Sequence, residues 1–340
     1  MRYGIWNNKG GVGKTFLSFI LGAEYANTCR DSRVILVDMC PQANLSEIAL
    51  GGNGKGKEYL SEILGNGKDR KTVGGYFDTR ISSPHQITGD ETSFLLRLEE
   101  YNEILPQNLY LICGDPSLEI QAQVISQIGS QMLPVNSWRN VHNWLNDLIK
   151  SCSNKIGQGR VSILIDCNPS FSAYTELAMV ASERLIIPCS SDGSSARAVN
   201  NVAALLYGFN ISQEYQTVNF CTKAKQSGIP LPLIHSVILN RSTQYNKKAS
   251  KAFSAMFSAI KRNVCDFQEY APSNFVDGRD LFDEMPDSHS VAIVCSHYGF
   301  PLYHVKPGRY EVHEATPQVN PGPLERYKKA VDEILSTLPG

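Results

Sequence analysis

Residues Lys9-Gly10-Gly11-Val12-Gly13-Lys14-Thr15 constrain this chain more than any other segment. They lie between a short apolar run, Tyr3 to Trp6, and a stretch in which Leu17, Ile20, Leu21 and Tyr25 keep helical spacing. A glycine-rich turn from a strand into a helix curls the backbone so that successive N–H groups and the helix N-terminus face one point, which cradles phosphate. Lys14 then offers a point charge to the β and γ phosphates, and the Thr15 hydroxyl offers a ligand to Mg²⁺.

The rest of the chain alternates in the same way. Apolar runs at Tyr3 to Trp6, Val34 to Val37, Leu109 to Cys113, Val161 to Ile165, Leu185 to Ile187 and Leu233 to Leu239 are separated by helical patterns. Several lack a period of two, as strands buried on both faces do. The expected fold is α/β: one domain over 1–340 with a mainly parallel, doubly wound sheet and helices on both faces. The Gly51 to Lys57 segment reads as a flexible loop, and Lys68 to Ser93 is polar with little periodicity, so about 51–105 is expected to be a surface excursion. Near the C-terminus, Leu324, Tyr327, Val331, Ile334, Leu335 and Leu338 form one helical stripe expected to pack on the sheet.

Composition excludes some function classes. With 32 basic and 33 acidic residues the net charge is -1, so global charge does not advertise nucleic acid, although a local patch can still bind it. Nine cysteines without a C-x-x-C pair argue against disulfides and structural zinc and for a reducing, cytoplasmic setting. No apolar run reaches the roughly 20 residues that span a bilayer, and the N-terminus passes straight into the glycine-rich turn without a signal sequence.

Lys9, ahead of the glycines, resembles the signature lysine of the deviant Walker A motif in the ParA/MinD family of P-loop ATPases. Val34 to Asn44, with Asp38-Met39-Cys40-Pro41-Gln42-Ala43-Asn44, is similar to that family's D-x-D-P-Q-x-N motif. Ile163 to Ser170, with Asp166-Cys167-Asn168-Pro169-Ser170, is similar to its Walker B strand, and Leu111 to Leu118 to its third strand and turn. The resemblance implies ATP and Mg²⁺ as cofactors. It assigns nucleotide contacts to Lys9, Gly10, Gly11, Val12, Gly13, Lys14, Thr15 and Phe16, metal contacts to Thr15, Asp38 and Asp166, and catalysis to Lys9, Lys14 and Asp38. Lys9 would reach across an ATP-bound homodimer, Asn240 would bond adenine, and Met285-Pro286 would form a loop over the base.

Two positions depart from the pattern. Cys40 stands where the family places the carboxylate that orients the attacking water. A thiol carries no fixed charge at neutral pH and accepts hydrogen bonds weakly, so slow hydrolysis is expected. Phe16 replaces a second hydroxyl residue after Thr15 and keeps only its backbone N–H for the phosphate.

After Asn240-Arg241, the basic residues Lys247, Lys248, Lys251, Lys261 and Arg262 alternate with an apolar stripe of Phe253, Met256, Phe257 and Ile260. In partition ATPases basic residues of this region hold DNA without sequence preference, which implies a salt-sensitive phosphate contact. The leading expectation is a ParA-like ATP-dependent dimeric switch for DNA or plasmid segregation. It would be nucleoid-associated and stimulated by a ParB-like or other adaptor. The alternatives are a MinD-like membrane-associated positioning ATPase, for which the last helix is only weakly basic, and an ATP-binding scaffold with little turnover.

Overall fold

The computed structural model describes all residues except 158, 191–192, 243, 246–247, 250 and 339–340. In chain order, β1 (Arg2–Ile5) leads into α1 (Lys14–Thr28) and β2 (Ser32–Met39) into α2 (Asn44–Ala49). Then come α3 (Lys55–Gly65), α4 (Val73–Ser82), β3 (Leu96–Arg97), β4 (Leu109–Ile112), α5 (Leu118–Gly129), α6 (Ser137–His142) and α7 (Trp144–Lys155). β5 (Arg160–Cys167), α8 (Ala173–Ala181), β6 (Arg184–Ser190), α9 (Gly193–Tyr207), α10 (Phe220–Gln226) and β7 (Leu233–Ser242) follow. The last part holds β8 (Gln244–Tyr245), β9 (Lys248–Ala249), α11 (Lys251–Tyr270), β10 (Phe282–Pro286), α12 (His289–Tyr298), β11 (Gly308–Arg309), β12 (Gln318–Val319) and α13 (Pro321–Ser336).

Eight strands form one sheet in the order β10-β7-β6-β1-β5-β2-β4-β3. All neighbours are parallel except the short edge strand β3. Strand β2 shows why periodicity failed to appear in the sequence. Ile35 and Val37 enter one core layer with α4, α5, α7 and α8, while Val34 and Leu36 enter the other with α1, α2 and α13. Gly22 lets α1 sit close on that second face, since a Cβ there would lie 2.4 Å from a Leu36 methyl. The result is a single-domain P-loop NTPase fold.

Register places the chemistry. Ile5 and Asp38 both pair with Asp166, so the start of the glycine-rich turn and both aspartates lie at the carboxyl edge of three adjacent strands. Ligands of open α/β sheets bind at this edge.

Two expectations are corrected by these elements and a third is met. The 51–105 segment is largely built into the fold: α3 begins at Lys55, and Val73, Tyr76 and Phe77 of α4 are fully buried. Its polar surface residues hid a helix because only one face is apolar. Met285-Pro286 belongs to a sheet strand, β10, rather than to a loop. The stripe of α13 does pack inward as expected, with Leu324, Tyr327, Val331, Ile334 and Leu335 buried. That helix therefore has no apolar stripe left to offer a membrane, and no described helix is long and apolar enough to cross one.

Candidate active site

Residues 6–13 join β1 to α1 in a loop whose Gly11 and Gly13 have φ of 73° and 87°. These are left-handed values that glycine adopts without strain. Gly13 is constrained twice, because a Cβ there would also lie 2.3 Å from Asn240 Nδ2. Helix α1 opens with no side-chain cap and no acidic residue in its first turn. Its first N–H groups and the positive end of its dipole are therefore left available to an anion. Lys14 is buried, and its ammonium donates to the carbonyls of Asn7 at 3.1 Å and Lys9 at 2.7 Å. Burial lowers the Lys14 pKa, and the nearby Asp166 partly opposes that shift.

The two aspartates have different surroundings. Asp38 Oδ1 accepts from the Cys40 N–H at 3.0 Å, and Oδ2 accepts from the Ser46 N–H at 2.9 Å and hydroxyl at 2.8 Å. Ser46 Oγ also accepts from the Gly114 N–H at 2.9 Å, so Asp38 anchors the β2–α2 turn to the end of β4. Asp166 accepts from Ser18 at 3.3 Å on Oδ1, while its buried Oδ2 has no hydrogen-bond partner among the described residues. Burial raises the pKa of both carboxyls, and Asp38 raises that of Asp166 further. An orphaned carboxylate oxygen beside a second buried acid fits a cation's water shell, and Thr15 lies alongside. Asp166 and Thr15 thus fit a Mg²⁺ site, whereas Asp38, assigned by resemblance to both metal and catalysis, already accepts three hydrogen bonds from the β2–α2 turn.

Cys40 reaches a cleft of about 880 Å³ lined by Gly10, Gly11, Lys14, Asn168 and Ser170. Burial, followed by the Asp38 charge, pushes its thiol up to about 12, so the thiol is neutral at physiological pH. The Asn168 amide faces Cys40 Sγ at 3.7 Å and its Oδ1 accepts from the Ser170 N–H at 2.9 Å. This cleft shares Gly13, Phe16, Asn53 and Ser296 with a second one of about 690 Å³, forming a trough that leads away from the phosphate loop.

The second cleft is lined by Asn240 and Pro286, two of the residues that the resemblance assigns to the base. Met285 is fully buried in the core and does not face it, because strand alternation turns adjacent residues to opposite sides. Asn240 Nδ2 donates to the Val12 carbonyl at 2.9 Å, tying β7 to the phosphate loop. Sequence reasoning missed much of this wall. Phe16 and Tyr327 approach with ring centroids 6.3 Å apart, and Val312 to Ala315 fold over as a tight turn with His313 beside His297 at 4.8 Å. An aromatic at Phe16, where a hydroxyl was expected, was the available signal. The 312–315 turn gave none.

Lys9 is held within its own chain: its ammonium donates to Ser190 Oγ at 3.0 Å and Ser195 Oγ at 3.4 Å. Of the basic residues expected to hold DNA, Lys247 lies outside the described residues, as do the side chains of Lys248 and Lys251. Lys261 is turned toward β10, 4.0 Å from Glu284 and 5.4 Å from the Phe282 ring centre, and both charged side chains of that pair are solvent-exposed. Arg262 is exposed, but Asp266 and Glu269 further along α11 are exposed too, which leaves the basic character at the N-terminal end of that helix.

A family model described as an AAA domain matches residues 3–219. Solved structures similar in fold include apo McdA from Cyanothece, at 17% identity and TM-score 0.57, covering 97% of this chain and 98% of the other. A McdA variant in complex with ATP is similar at 16% identity and TM-score 0.59, covering 100% and 97%. A putative plasmid partition protein from Borrelia burgdorferi B31, bound to AMPPNP, is similar at 16% identity and TM-score 0.54, covering 99% and 98%. Among curated proteins, an uncharacterized Pseudomonas putida protein is 29% identical over 189 residues, 55% of this chain and 54% of its own length. The chain thus spans about half the length of the curated relatives it matches.

Proposed function

The chain belongs to the AAA-domain family, as a P-loop ATPase of the ParA/MinD type, and we propose that it is an ATP-driven dimeric switch serving DNA or plasmid segregation. The observation that carries this reading is the placement of Lys9 and Lys14 on one glycine-rich lip, opposite the orphaned oxygen of Asp166. Helix α1 and Lys14 bind and neutralise the ATP phosphates, and the trough beyond Gly13 takes the base between Phe16, Asn240 and Pro286. Thr15 and Asp166 would hold Mg²⁺, which supplies charge neutralisation of the phosphates when bound. Lys9, released from Ser190 and Ser195, would reach the partner protomer's nucleotide, so that dimerisation reports the presence of ATP.

Hydrolysis is slow in this account. The neutral Cys40 thiol cannot orient a water by charge, and Asp38 is committed to the β2–α2 turn. A partner that stimulates turnover fits this arrangement, as does DNA contact through the N-terminal end of α11. The kinship in fold with a plasmid partition protein supports the segregation role. Steady-state phosphate release with and without duplex DNA tests the proposal. Slow basal turnover with ATP-dependent, sequence-independent DNA binding is expected, whereas an absence of DNA binding with ATP bound would leave the scaffold reading, which Cys40 also favours.

A further inference from the structure

Behind the trough wall lies a separate cleft of about 480 Å³ that no nucleotide contact explains. Two ring pairs form it: Tyr59 and Tyr101 meet edge to face at 5.2 Å, and Tyr298 and Phe300 stack at 5.0 Å. Exposed Glu100 and Glu103 stand at its rim, and Glu62 lies close enough to Tyr101 to help raise that hydroxyl's pKa, after the larger effect of burial. Tyr59, Glu62 and residues 100–103 come from the segment whose sequence suggested only an excursion. Lys55 lines the mouth as well, exposed to solvent on the first turn of α3.

Aromatic faces attract cations through the ring quadrupole, and a guanidinium in addition stacks on rings and pairs with carboxylates in a planar fork. A cleft with four rings and an acidic rim therefore suits the apolar stem and charged head of one side chain. We propose that this cleft is the docking site for an arginine side chain of a peptide segment from a partner protein. The wall it shares with the nucleotide trough is backbone packed on backbone. The Asn53 N–H donates to the His297 carbonyl at 3.0 Å, and a Cβ on Gly52 would lie 2.2 Å from that same oxygen. Asn102 Nδ2 ties the rim to Gly299 at 2.9 Å. The site is thus preformed, and its existence does not depend on which nucleotide fills the trough.

The test is calorimetric titration of the full chain, free of nucleotide and at low salt, with a blocked tetra-arginine peptide. Tyr101→Leu, and separately Glu100→Gln with Glu103→Gln, are expected to weaken binding about tenfold, as loss of a desolvated cation–π contact or of its carboxylates would. Lys55→Gln is expected to tighten binding about threefold, because a like charge leaves the mouth. Glu214→Gln, an exposed glutamate in a separate 3₁₀ turn, should leave binding unchanged. The two glutamate changes are on the surface and keep the fold testable if Tyr101→Leu is unstable. The proposal is overturned if the rim and ring variants bind like Glu214→Gln. It is equally overturned if Lys55→Gln fails to tighten binding, or if spermidine occupies the cleft as tightly as the peptide.

Discussion

Cys40 and Asn168 face each other across the phosphate cleft at 3.7 Å, and that pair is where the residue scale is most informative. An aspartate at position 40 would accept from the Asn168 amide and bring a carboxylate to the γ-phosphate. We expect Cys40→Asp to raise steady-state phosphate release by about tenfold or more at saturating ATP, with nucleotide affinity little changed. A rate at or below the parent's would mean that added charge beside Asp38 and Asp166 brings only repulsion. Lys14→Ala, in contrast, should abolish ATP binding in a fluorescent-nucleotide titration, since it removes the buried cation of the glycine-rich turn. Lys14 and Asp166 were legible in the sequence because each motif is contiguous and its geometry local. The bonding of Asp38 was not, because Ser46 and Gly114 arrive from two other elements to satisfy it.

At the scale of elements, α1 carries a buried acid that the phosphate motif does not use. Glu24 Oε1 accepts from the Tyr303 N–H at 3.0 Å, and burial pushes its carboxyl up from 4.5 to about 7. A raised folded-state pKa means that the folded chain holds the proton more tightly than the unfolded one. The stability this contributes is fully present below about pH 4.5 and is lost as pH rises through about 7. Glu24→Gln keeps an acceptor for Tyr303 and removes the titration. It should therefore be more stable than the parent at pH 8, by roughly 2–3 kcal/mol, and nearly equal to it at pH 4. Superimposable denaturation profiles for the two proteins across that range would disprove this.

The basic residues near the start of α11 yield a different measurement. If they hold DNA, neutralising Lys247, Lys248 and Lys251 together should lower affinity on any duplex and flatten the salt slope by roughly 2–3. An unchanged slope would assign them to solvent. Alternating strands and helices were readable from apolar runs, because buried parallel strands leave nothing else to write. Helix α4 was hidden, since Val73, Tyr76 and Phe77 are its apolar anchors in an otherwise polar stretch.

Across the whole molecule, the sheet brings three strand ends to one edge, and the glycine-rich lip there carries a lysine docked on its own chain at Ser190 and Ser195. On the proposed function, ATP frees Lys9 to join two such edges. Sedimentation of the 37.6 kDa chain with saturating ATP and Mg²⁺ tests it most directly, run beside Lys9→Ala. The parent is expected to show a doubled mass with ATP and a monomer without it, while Lys9→Ala binds ATP with parental affinity yet stays monomeric. A parent that remains monomeric when loaded with ATP, or a Lys9→Ala variant that dimerises as the parent does, would contradict it.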